Sequence, residues 1–150
     1  MRTRSIPATL LLSLVIATPV LASSQATPKA DPKLPAAIET AFKKAYPKAT
    51  IKRVYQEKYG GKDAFEIESV DNGKGRDIVY HLDGSVAVLE DKVAAADVPA
   101  AVLAAIKADY PKAAISSYER KIESGATSYE IQIKGAKAET AEYSPDGKRK

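Results

Sequence analysis

The chain has no cysteine. That absence excludes disulfides, thiolate metal sites, a thiol nucleophile and a lipid-modified cysteine behind an export signal. Histidine is nearly as scarce, with His81 the single one. One long apolar run stands at the N-terminus, and no second run follows that could cross a bilayer. A strong excess of positive charge is also missing. The formal net charge is +4, of which Arg2 and Arg4 supply two, and elsewhere Lys and Glu are interspersed. A nucleic-acid binder gathers Lys and Arg on one face with aromatics to stack bases, so nucleic acid is not an expected partner. At 150 residues the chain suits one domain or two very small ones, burying roughly two-thirds of its unfolded surface without staples.

Met1–Arg4 is a basic head, Leu10–Ala17 an apolar run, and Val20-Leu21-Ala22 a small-residue cleavage pattern. Together they make residues 1–22 an expected secretory signal peptide, and the protein periplasmic or secreted. Pro7 and Pro19 interrupt the run, which is shorter than the ~20 residues of a comfortable span, so no membrane span is expected after cleavage. Residues 23–33, rich in Ser, Thr, Pro, Ala and Lys, read as a flexible linker.

The rest of the chain says one thing twice. Leu34-Pro35-Ala36-Ala37-Ile38 runs to Tyr46-Pro47-Lys48-Ala49, and 64 residues on Val98-Pro99-Ala100-Ala101-Val102 runs to Tyr110-Pro111-Lys112-Ala113. Leu34, Ala37, Ile38, Ala41, Phe42 and Ala45 recur at the spacing of one helical face. Val98, Ala101, Val102, Ala105 and Ile106 do the same in the second copy. Pro35 and Pro99 suit a helix start, while Pro47 and Pro111 stop the helix by disfavouring the α region at the tyrosine before them.

After each Pro-Lys-Ala the period changes from helical to alternating. Thr50–Tyr59 reads as a strand, Gly60-Gly61 as a turn, and Phe65-Glu66-Ile67-Glu68 alternates cleanly, answered by Tyr129-Glu130-Ile131-Gln132. Asp71–Gly75 reads as a turn. Ile78–Leu82 and Val86–Leu89 read as strands joined through Asp83-Gly84, a favoured hairpin pair. Asp146-Gly147 repeats that turn one residue out of register, and the last strand behind it is cut short. Glu90–Asp97 is taken as the connection between copies. The expected fold is α+β, built of two tandem helix-then-antiparallel-strand units, 34–96 and 97–150, with the helices packed on one face of a continuous sheet. Pairing the units lets each protect the other's edge.

Tyr46-Pro47-Lys48-Ala49, Phe65-Glu66-Ile67, Leu82-Asp83-Gly84 and their second-copy counterparts resemble the PepSY-like family, in particular its β-lactamase-inhibitor-like periplasmic proteins. The resemblance implies a secreted or periplasmic binding module, in some members one that restrains an enzyme.

Chemistry is sparse. His81, Asp83 and Ser85 straddle one tight turn, whereas a catalytic triad needs groups converging from separate segments. Asp71–Asp77 lacks the alternating oxygens and closing Glu of a calcium loop, and His81 with Asp77 or Asp83 falls short of a zinc set. No catalytic residue, metal ligand or cofactor is expected, and the protein is read as a non-enzyme. Glu66, Glu68, Glu130 and Gln132 are expected on the outward sheet face, in water beside Lys and Arg. Tyr55, Tyr59, Glu66, Glu68, His81, Tyr118 and Glu130 are the candidate contacts for a protein or peptide partner, through the sheet face, an edge, or the loops at Asp71–Arg76 and Gly84. Periplasmic sensing of a small ligand or metal ion is the other class the sequence leaves open.

Overall fold

The computed structural model describes residues 32–134 and 140–150. The expected signal peptide and residues 23–31 of the linker lie outside the described residues. Helix α1 is Ala36–Ala45, and α2 is Ala100–Asp109. The prolines sit one residue earlier than a first-turn position. Pro35 and Pro99 cap the two helices with φ of −56° and −55°, at a place where proline's missing N–H costs nothing. Both helices end alike. Tyr46 and Tyr110 turn out of the helix at φ −132° and −131°, each donating its N–H to Phe42 or Ile106 at 2.8 Å. Among the described residues no helix is long and apolar enough to cross a membrane.

The strands are β1 (Thr50–Tyr59), β2 (Lys62–Asp71), β3 (Lys74–His81), β4 (Val86–Val93), β5 (Ala114–Glu123), β6 (Ala126–Lys134) and β7 (Thr140–Tyr143). They form one seven-stranded antiparallel sheet in chain order. Two expectations change here. Only Asn72-Gly73 turns between β2 and β3, with Lys74 and Gly75 already in the strand. Glu90–Asp97 is not a plain connection either, since β4 continues through Val93 and pairs along its length with β5, before a short 3-10 turn at Ala95–Asp97. Beyond β7 the chain turns back, and Arg149 makes an isolated bridge to Tyr143.

The register sorts the side chains. Phe65, Ile67, Ile78, Tyr80 and Leu89 fall on one sheet face, and so do Tyr118, Tyr129, Ile131, Ala141 and Tyr143. The first group, with Val54, clusters with Ile38 and Phe42 of α1. The second clusters with Val102 and Ile106 of α2. Ala37, Ala45 and Ala101, assigned to inner faces by their spacing, are exposed, so each helix buries a narrower stripe than its pattern suggests. Between the clusters, on the same face, Asp91 accepts from Arg76 Nε at 2.6 Å and from Arg120 Nη2 at 2.9 Å. Arg76 also lies 4.3 Å from the Tyr46 ring centroid. This triad lines a groove of about 400 Å³, to which Lys74, Lys92 and Asp97 also contribute, so that its lining carries an excess of positive charge.

The two Asp-Gly turns press against the first turns of the helices. A Cβ on Gly84 would stand 2.8 Å from the Ala37 carbonyl oxygen, and one on Gly147 2.6 Å from that of Ala101. Both glycines have φ of +84°, so conformation and space each demand glycine.

Candidate functional site: a carboxylate-rich sheet face

Alternation leaves a second face, free of the two apolar clusters, and its neighbours are set by strand order. Reading across the sheet, Arg53 faces Glu68, which faces Asp77, which faces Glu90, which faces Lys121. Two residues further along the strands, Lys92 faces Glu119, then Glu130, then Glu142. Each row therefore sets three carboxylates on adjacent strands. Directly opposed like charges are destabilising by roughly 0.2–1 kcal/mol a pair.

Some of this charge is compensated. Lys121 Nζ lies 3.6 Å from Glu90 and 3.8 Å from Glu142, and Lys150 Nζ 2.7 Å from Glu142, which also accepts from Ser128 at 2.7 Å. Those partners hold Glu142 below the usual carboxylate range despite its burial. For the others burial outweighs the neighbouring lysines. Burial pushes Glu90 up to about 7, and Glu130, Glu119 and Asp77 add to the rise against the pull of Lys121. Asp77, Glu66 and Glu119 are raised as well, burial being the main cause in each. Glu119 is only 9% exposed, and Lys92, directly across the strands, pulls against its rise.

The face is concave. Tyr59 at the end of β1 donates its hydroxyl to Glu123 at the end of β5, although β2, β3 and β4 lie between them. In a flat sheet those strands would be about 19 Å apart. The β1–β2 corner must therefore curl over this face. The curl accounts for the burial of Ala64 and Val88, which belong to neither apolar cluster. His81 joins the same corner, its ring centroid 5.8 Å from that of Tyr59.

Of the predicted contacts, Tyr55, Tyr59, Glu66, Glu68, His81 and Glu130 share this face. Tyr118 does not, because it packs half-buried against the second apolar cluster. Of the expected carboxylates Glu68 has a basic residue, Arg53, directly across the strands, whereas Glu66 lies between Tyr55 and Val79 and Glu130 between Glu119 and Glu142. Glu68 and Glu130 each face another carboxylate, and Glu66 is half-buried. Sequence reasoning missed Asp77, Glu90, Glu119 and Glu142. Asp77 had a legible signal in its alternation with Ile78, whereas Glu90 was lost with the strand that carries it. Asp83 accepts from the Ser85 hydroxyl and backbone N–H at 2.6 and 2.9 Å, closing the turn. Among the described residues no three of His, Cys, Asp and Glu are grouped to hold a metal ion.

Fold and face together define a mixed protein, two helices with an antiparallel sheet whose second side is left to charged groups. A family described as "putative beta-lactamase-inhibitor-like, PepSY-like" matches residues 24–88 and 70–148. The chain belongs to that family. Among solved structures it is similar to a "putative periplasmic protein" from Bacteroides eggerthii DSM 20697, with 18% identity and a TM-score of 0.65 over 79% of this chain and 86% of that one. It is also similar to a "BLIP-like protein" from Bacteroides fragilis NCTC 9343, with 18% identity and a TM-score of 0.58 over 81% and 86%. At such identity the likeness is one of fold. No curated protein matches the chain.

Proposed function

We propose that this is an exported, non-enzymatic module that binds a protein or peptide partner across the carboxylate-rich face, in the manner of an inhibitor or sequestering protein. The observation that carries the reading is the pair of carboxylate rows. A surface free to minimise its energy would alternate charge across strands, and this one sets like charges side by side on a concave sheet. Exposed Tyr55, beside the rows, offers the rigid amphipathic ring favoured at protein interfaces. The name of the BLIP-like neighbour and the description of the family support a binding role. The description of the Bacteroides eggerthii neighbour supports a periplasmic setting.

The architecture behind this surface is, on our reading, two copies of one helix-then-strands unit, 34–96 and 97–150, with both helices on the apolar face. Matching helix ends support it. So do bulges at Ile51/Arg53 and Ile115/Ser117 and turn hydrogen bonds repeated at His81–Ser85 and Ser144–Lys148. Residues 1–22 act as the signal and 23–33 as the linker.

A photo-crosslinking residue at Tyr55 tests the binding reading in the living cell. A discrete adduct from that position, and none from the exposed Lys107 on α2, is the expected result. Equal labelling from both positions, or none from Tyr55, would remove the reading.

A further inference from the structure

β1 stands at one end of the strand order. Its only strand partner among the described residues is β2, so the N–H and C=O groups along its outer side are open to another strand. Of its residues only Val54 is buried, and two exposed large hydrophobic side chains, Ile51 and Tyr55, lie on it. An open edge by itself names no occupant, but the charges along this one do. Arg53, Tyr55 and Glu57 alternate along the side shared with the carboxylates. Arg53 faces Glu68 and donates from Nη1 to the Tyr55 hydroxyl at 3.2 Å. Glu57 faces uncharged Ala64 and makes no ion pair among the described residues.

We propose that β1 pairs antiparallel with β1 of a second copy, about a two-fold axis at Tyr55, joining the two sheets edge to edge. In that register Tyr55 opposes Tyr55 of the second copy. Arg53 opposes Glu57 twice, once on each side of the axis. Directly opposed residues share a face and lie about 4.5–5.5 Å apart at Cα. A guanidinium has five donors, so Arg53 can serve Glu68 and this second carboxylate together. Other registers fit less well. Sliding one copy by two residues sets Arg53 and Glu57 against uncharged side chains. Sliding it by four sets Arg53 against Arg53 or Glu57 against Glu57, which is destabilising. A slip of one residue puts Tyr55 beside a residue of the apolar side.

The strand also limits the contact. The bulge between Ile51 and Arg53 ends regular pairing just past Arg53, and Lys52 and Lys58 stand immediately outside the paired stretch. Such a short contact buries less than a standard interface, so the dimer is weak. Two-fold closure occupies both β1 edges and stops the assembly at two copies. The carboxylate rows lie on β2–β7 and stay open, so this contact goes beyond the partner-binding reading and does not replace it.

The test uses the chain from Ser23 onward. Sedimentation should show monomer at about 5 μM and a growing share of dimer toward about 1 mM. R53E sets carboxylate against carboxylate at both ends of the register, and E57R sets guanidinium against guanidinium. Each variant alone should lose the dimer by roughly tenfold or more in Kd, and an equimolar mixture of the two should regain it as a one-to-one pair. Recovery in the mixture also shows that both variants fold. Because the chain has no cysteine, Y55C gives a second readout. Its Cα lies opposite its own counterpart within disulfide reach, so mild oxidation should link two copies through Y55C and not through K107C on α2. A chain that stays monomeric to about 1 mM, an E57R that dimerises like wild type, a mixture that fails to pair, or equal linking of Y55C and K107C would overturn the proposal. In the photo-crosslinking experiment an adduct of twice the chain's mass belongs to this contact, and an adduct with a different protein to the carboxylate face.

Discussion

Two tyrosines in equivalent surroundings differ by one hydroxyl contact. Tyr80 pairs across the sheet with Phe65, and Tyr143 with Tyr129; both are almost wholly buried. Tyr143 donates its hydroxyl to Asp109 at 2.8 Å. Ala45 stands where Asp109 stands, as the last residue of its helix, and the Tyr80 hydroxyl has no partner among the described residues. Burial lifts Tyr80 to about 12. A hydrogen bond to a charged group contributes about 1.5–3 kcal/mol, while an orphaned buried hydroxyl costs. Y143F should therefore lose about 1–2 kcal/mol in urea unfolding. Y80F should be neutral or slightly stabilising, and Ala45→Asp should stabilise the wild type but not Y80F.

At the scale of elements, the helix stops and turns were legible because each rests on local chemistry. Tyr46-Pro47 and Tyr110-Pro111 end helices through a clash with the next ring, and the Asp-Gly pairs sit in the turns the pattern gave them. The second half of β4 was illegible for an equally physical reason. Its inward residue is Asp91, a charged group held between Arg76 and Arg120, and apolar alternation cannot announce a strand whose core position is an ion pair. The surroundings of Glu68 and Glu130 were hidden because lateral neighbours depend on the order of all seven strands, which no local stretch encodes. The turns also carry a prediction. Gly125 has φ of +77° with open space around it, whereas Gly147 has φ of +84° and the Ala101 carbonyl in its way. G125A should cost about 1–2 kcal/mol from the left-handed conformation alone. G147A should cost more in the same thermal melt, because backbone must move to admit the methyl group.

For the whole molecule the carboxylate rows set how stability varies with pH. Glu90 titrates near 7 in the fold against an ordinary value of 4.5. Between those values the folded chain holds more protons than the unfolded one, so stability falls as pH rises through that window and the loss is complete above it. Asp77, Glu66 and Glu119 have raised values and act with the same sign. Discounted for partial exposure, the Glu90 contribution is about 2 kcal/mol. E90Q should match wild type near pH 4.5 and exceed it by about 2 kcal/mol at pH 8 in denaturant titrations. An E90Q curve parallel to wild type from pH 4.5 to pH 8 would refute this account.

The sheet runs in chain order, and that has a kinetic consequence. Each strand pairs with the one made just before it, most of them across a turn of a few residues, so little entropy is spent in closing any of these contacts. A chain emerging from its N-terminus can lay down the α1 side before the α2 side exists. Refolding should accordingly be quick, without a search for distant partners.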